Sequence, residues 1–152
     1  MSNSEFSYAD VIDVICEILD SGGEVKIDPR GTSMLPLIVQ GRDSAVLKKP
    51  DRIKKHDIVF YRRDNGQFVL HRIMKKSSDG HFVLLGDSQT ELELGVREDQ
   101  IIARVCRIIR KGRAFDVRSF RYRLYVFLWT KIPIRRVLSF IGRKIAFLRK
   151  KV

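Results

Sequence analysis

Asp57-Ile58-Val59-Phe60-Tyr61-Arg62-Arg63-Asp64-Asn65-Gly66-Gln67-Phe68-Val69-Leu70-His71-Arg72-Ile73-Met74-Lys75 is two runs of β-branched and aromatic residues split by Asp-Asn-Gly. Asp and Asn side chains bond their own backbone in turns, and Gly accepts a positive φ without steric cost. The spacing therefore predicts a tight hairpin joining strands over 57–62 and 67–75. Alternation along the second strand puts Val69, His71 and Ile73 on one face and Arg72 on the other.

Working outward, 24–28, 44–48, 81–86 and 101–110 are short runs rich in Val, Ile and Phe. Pro50-Asp51 and Ser77-Ser78-Asp79-Gly80 supply turn chemistry between them. Before the β region, Ser7-Tyr8-Ala9-Asp10 reads as a helix start. Val11, Ile12, Ile15, Ile18 and Leu19 follow at helical spacing, and Gly22-Gly23 closes the segment. One helix at 7–20, with no second helix behind it, excludes a helix-turn-helix. The fold class expected is mainly β: an antiparallel assembly over 24–110 with one N-terminal helix and a C-terminal helical basic tail.

The tail is set apart by its charge. Of the 152 residues, 1–116 hold 19 Lys/Arg against all 18 Asp/Glu, whereas 117–152 hold 11 basic residues and no acid. The division expected is a body at 1–116 and a basic amphipathic tail at 117–152. In that tail Ile134, Val137, Leu138, Ile141, Ile145, Leu148 and Val152 mark one helical face, and Arg135, Arg136, Arg143 and Lys144 lie off it. With 44% hydrophobic and 32% charged residues the composition is globular. Cys16 and Cys106 stand in apolar surroundings without metal-ligand spacing, so both read as small hydrophobes in a reducing compartment, and no metal or cofactor is expected. The polar, acidic start is not a signal peptide, and no run of 18 uncharged apolar residues suggests a span. The expected location is cytoplasmic, peripheral at the inner membrane face.

Chemistry concentrates at three places. Gly31-Thr32-Ser33-Met34-Leu35-Pro36-Leu37-Ile38 brackets a hydroxyl residue between Gly and Pro, with Met34, Leu35 and Leu37 as apolar anchors. His71 sits in an apolar strand, and Gly86-Asp87-Ser88-Gln89 puts a carboxylate at the end of the next one. Ser33, His71 and Asp87 are the residue types of a nucleophile, its base and the acid that orients the base. His56 and His81 read as exposed turn residues.

Gly31-Thr32-Ser33-Met34-Leu35-Pro36, Asp57-Ile58-Val59-Phe60-Tyr61, His71-Arg72-Ile73 and Gly86-Asp87 occur in the order and approximate spacing of the boxes of the type I signal peptidases. Over roughly 24–110 the chain resembles that family and its LexA-like self-cleaving relatives, which share a fold. The box that ends in Lys in common bacterial enzymes ends in His in the endoplasmic-reticulum and archaeal type, which this chain resembles. The resemblance implies Ser33 as nucleophile, His71 as base and Asp87 as orienting acid, with Glu93 near the place of a second acid. It further implies a peptide or precursor-protein substrate carrying small apolar side chains beside the cleaved bond. Three departures stand out: the family's N-terminal anchor is missing, Gly31 replaces a Ser used by some members for the oxyanion hole, and His56 replaces the Gly before Asp57. The oxyanion hole is then expected from the backbone N–H of Ser33, helped by Thr32, and the turn at His56 is expected to differ.

For the tail the expected partner is an anionic membrane surface bound through 117–152, with Tyr122, Tyr125 and Trp129 suited to the interface. Helices packed on the body rank second. Nucleic acid ranks last, because the aromatics do not alternate with the basic residues. Two function classes follow: a serine peptidase, or an inactive relative that uses the same cleft to hold a peptide or partner at the membrane surface.

Overall fold

The computed structural model describes residues 8–131. Helix α1 (Tyr8–Asp20) is followed by β1 (Glu24–Ile27), β2 (Asp43–Lys48), β3 (Ile58–Arg62), β4 (Phe68–Lys76), β5 (Phe82–Leu85), β6 (Glu93–Val96), β7 (Ile101–Arg110) and β8 (Arg113–Asp116), and the described chain ends in α2 (Phe120–Lys131). Every strand pairing is antiparallel, in the order β1-β2-β7-β3-β4-β5-β6 with β8 on β7. The protein is mainly β with a helix before and after the sheet. Ser7 and the stripe from Ile134 to Val152 lie outside the described residues.

The predicted hairpin forms as read. Arg63 and Gln67 close it (Arg63 N–H to Gln67 O, 2.9 Å), Asn65 Oδ1 accepts the Gln67 N–H, and Gly66 takes φ +84°. Two strands escape the hydrophobic reading. Strand β6, Glu-Leu-Gly-Val, buries only Val96. Strand β8 is polar and is set by its turn, where Lys111 (φ 50°) and Gly112 (φ 76°) supply the two positive-φ residues of a two-residue hairpin.

The twisted sheet buries apolar side chains on both faces. One cluster joins Ile15 and Leu19 of α1, Met34, Leu37 and Ile38 of the 28–42 loop, Phe60 and Ile108 of the sheet, and Tyr122 and Val126 of α2. The other packs Val59, Tyr61, Ile73, Phe82, Leu84 and Val96. In the described part of the expected tail, Tyr122, Val126 and Trp129 recur every three or four residues and turn inward together, so the inner face of α2 packs on the body. Cys16 and Cys106 are half-buried free thiols, not the buried hydrophobes expected. Among the described residues no helix is long and apolar enough to cross a membrane.

The 28–42 loop is tied down at its end by Asp43, 2% exposed, which accepts the N–H groups of Val39 (2.9 Å) and Lys111 (3.2 Å) and pairs with Arg42. Those bonds hold the Asp43 carboxyl below the usual carboxylate range, to about 2. His56, half-buried rather than an exposed turn residue, holds φ at 72°, a left-handed backbone that favours Gly. A left-handed conformation costs an L-residue about 1 kcal/mol. Replacing His56 by Gly is therefore expected to raise stability by up to roughly 0.5 kcal/mol in urea melts, once the extra chain entropy of Gly is subtracted. A loss of stability would show that imidazole packing outweighs the backbone strain.

Candidate active site

Strand register decides which side chains meet. Val59 pairs with His71, Leu84 with Ile73, and Glu93 with Leu84. Cross-strand partners share a face and alternate residues return to it, so Tyr61, His71 and Glu93 converge. Leu85 pairs with Arg72, so Asp87, two residues on, falls on Arg72's face instead.

The side chains follow that register. His71 is 2% exposed, with Nδ1 3.1 Å from the Tyr61 hydroxyl and 3.4 Å from Glu93 Oε2. Tyr61 donates its one proton to Glu93 at 2.5 Å, so its oxygen is left to accept from His71 Nδ1–H. That fixes the tautomer with the basic lone pair on Nε2, which makes no hydrogen bond among the described residues. Arg63 grips Glu93 with two bonds, 2.8 and 2.6 Å, and holds it in place. Burial, opposed by Glu93, pushes the His71 pKa below its usual 6.5. Burial also pushes the Glu93 carboxyl up, but its bonds to Arg63 and Tyr61 bring it below the ordinary value overall. The imidazole is thus neutral and the carboxylate charged at pH 7.

Asp87 does not orient His71. Both of its oxygens lie 2.7 Å from Arg72, on Nε and on Nη2, and each residue is 1% exposed. Arg72 spends Nη1 on His56 O (3.0 Å) and Tyr122 Oη (2.9 Å). Tyr125 donates to Asp87 Oδ2, and Trp129 Nε1 donates to the Asp87 carbonyl. Asp87 therefore joins β4, the β5–β6 connection and α2. The second acid of the sequence reading, Glu93, sits where Asp87 was expected.

The same connection carries the Ser33 loop. Ser88 N–H donates to Ser33 O (2.9 Å), and Ser88 Oγ donates to Thr32 O (2.6 Å). A Cβ on Gly86 would lie 2.7 Å from Ser33 O, so only Gly lets the two backbones approach. Buried Met34, Leu37 and Ile38 anchor the loop from the other side; Leu35, expected as an anchor, is half-buried. With the carbonyls of Thr32 and Ser33 occupied, their N–H groups make no hydrogen bond among the described residues and stand free as donors.

Ser33 and His71 line one cleft of about 670 Å³, walled by Tyr8, Met34, Phe60, Phe68 and Leu70. They are not hydrogen-bonded to each other. Along this cleft Phe68–His71 pair with β3 on one side only, because β5 joins β4 from Arg72 onward. Sequence reasoning missed Tyr61 and Arg63. Their places two and four residues beyond Val59, which lies directly opposite His71, are the signal that would have found them. The chain matches no family model, no curated protein and no solved structure.

Removing one partner of a buried ion pair strands the other charge, which costs about 3–5 kcal/mol. Asp87→Ala is expected to lose that much in denaturant unfolding. Glu93→Gln, on a partly exposed pair, should lose about 1 kcal/mol or less. A stability loss below about 1 kcal/mol in Asp87→Ala would contradict the structural role of the pair.

Proposed function

We propose that the protein is a serine peptidase in which Ser33 attacks a peptide carbonyl and His71 takes its proton. The observation that carries this reading is the shared cleft, which is lined by Ser33 and by a histidine whose Nδ1 is committed and whose Nε2 is not. Nε2 would accept the Ser33 proton as the bond to carbon forms, then pass it to the leaving amine as the tetrahedral intermediate collapses. Tyr61 and Glu93 would stabilise the imidazolium. The developing oxyanion would meet the N–H groups of Ser33 and Thr32. Water entering where the amine left would release the acyl group by the same proton route.

The substrate would lie extended along the free edge of Phe68–His71, adding a strand beside the reacting atoms. The cleft's aromatic and aliphatic wall suits apolar side chains, in keeping with the signal-peptidase resemblance. The second reading, a non-catalytic module that holds a peptide, is favoured by the missing Ser33–His71 hydrogen bond. Such bonds commonly tighten only when substrate arrives.

A fluorophosphonate probe separates the two. The catalytic reading expects covalent labelling that Ser33→Ala abolishes, His71→Ala slows by about 10²–10⁴, and Glu93→Gln slows less. An unlabelled wild type favours the holding module, and labelling that survives His71→Ala removes the Ser-His assignment.

The pH dependence has a definite sign. His71 binds its proton less readily folded than unfolded, so both folding and labelling favour the neutral ring. Labelling rate should rise with pH through a midpoint below 6.5. The stability that His71 contributes should be present above 6.5 and fall away as pH drops through the folded-state value. A midpoint above 6.5 would show that another group is titrating.

A further inference from the structure

A second cleft, of about 710 Å³, lies between the 51–57 loop, β7 and α2, and shares no lining residue with the first. Seven of its lining residues are basic (Arg52, Lys54, Lys55, Arg104, Arg118, Arg123 and Lys131), against two carboxylates, Asp51 and Asp57. None of the seven makes an ion pair among the described residues, although Arg42, Arg63, Arg72, Arg97 and Arg107 elsewhere all do. Asp57 spends one oxygen on the Lys54 N–H. Arg104 Nε is buried and makes no hydrogen bond among the described residues. His56, in the same wall, has its pKa lowered by burial first and then by Lys55, Arg72 and Lys131.

Like charges gathered in a concave site without counter-charge raise the potential inside it and favour an anion. The guanidinium groups suit the several acceptor oxygens of a phosphate. Beside the cleft, α2 turns Phe120 (77% exposed), Leu124 (45%), Phe127 (57%) and Leu128 (39%) outward. Phe127 is also part of the cleft wall. These four are half of the large hydrophobic side chains exposed among the described residues. A free anion or a nucleic acid would use the charges and leave that apolar face unexplained, whereas a lipid surface uses both.

We propose that this cleft binds the phosphate headgroup of an anionic lipid, with the outer face of α2 seated in the adjoining acyl boundary. Membrane docking then runs through residues of the folded body. The proposal does not depend on the peptidase reading, and its test reads no enzymatic activity.

The test is co-sedimentation of the full chain with phosphatidylcholine vesicles, with and without phosphatidic acid. Wild type should bind the doped vesicles and not the neutral ones. Arg118→Gln/Arg123→Gln, on exposed positions that leave the core intact, should weaken binding about tenfold to thirtyfold at low salt, since each basic residue near such a surface is worth roughly a factor of five. Arg104→Gln should weaken it as well. Lys26→Gln/Lys75→Gln, which removes the same charge outside the cleft, should change it by less than about twofold. Phe120→Ser/Leu124→Ser should weaken vesicle binding but leave any association with inorganic phosphate unchanged. Melting curves check that each variant is folded. Equal weakening by the control pair, or equal binding to neutral vesicles, overturns the proposal. So does tighter, cleft-dependent binding of inorganic phosphate or of a single-stranded oligonucleotide.

Discussion

The structure turns on one buried ion pair. Arg72 and Asp87 are each 1% exposed, and desolvating two such charges is expensive enough that the pair is tolerable only with its polar atoms satisfied. They are: Arg72 reaches two carboxylate oxygens, a carbonyl and the Tyr122 hydroxyl, and Asp87 adds Tyr125, while Trp129 holds its carbonyl. A hydrophobic pair of similar volume could be as stable. What such a pair would lack is the directional link from β4, through the β5–β6 connection, to α2 and to the loop that carries Ser33.

That link explains the division of labour between two acids which the sequence does not distinguish. Arg72 and His71 are neighbours on β4 and point to opposite faces. Asp87 serves the first and Glu93 the second. On one face charge is neutralised and sealed, which holds the backbone. On the other, Glu93 remains partly exposed, tied to Arg63, and reaches the imidazole through Tyr61. The Ser33 loop and His71 thus hang from one strand, each steadied by its own carboxylate.

Much of this was legible in the residues. The Asp-Asn-Gly hairpin, the α1 stripe and the four strands β1, β2, β5 and β7 followed from period and turn chemistry, because the side chains there are buried on one or both faces. The boxes that hold Ser33, His71 and Gly86-Asp87 were legible as a group, and the first two do share a cleft. What was hidden depended on register. Whether Asp87 or Glu93 faces His71 is decided by pairings through β5 and β6, and β6, with one buried residue and a Gly, has no hydrophobic signature. β8 was hidden for the same reason. The packing of α2 was hidden because that helix is apolar on its inner and its outer side, so its stripe does not say which face is buried.

The central claim is that the Arg72–Asp87 pair holds the Ser33 loop against the sheet. Native-state hydrogen exchange at the Ser88 amide, which donates to Ser33 O, measures that directly. In the wild type this amide should exchange only with global unfolding. In Asp87→Asn it should open at a free energy clearly below that variant's own global stability, while amides of the β3–β4 hairpin still follow global unfolding. If the Ser88 amide tracks global unfolding in both proteins, the ion pair does not hold the loop and the account is wrong.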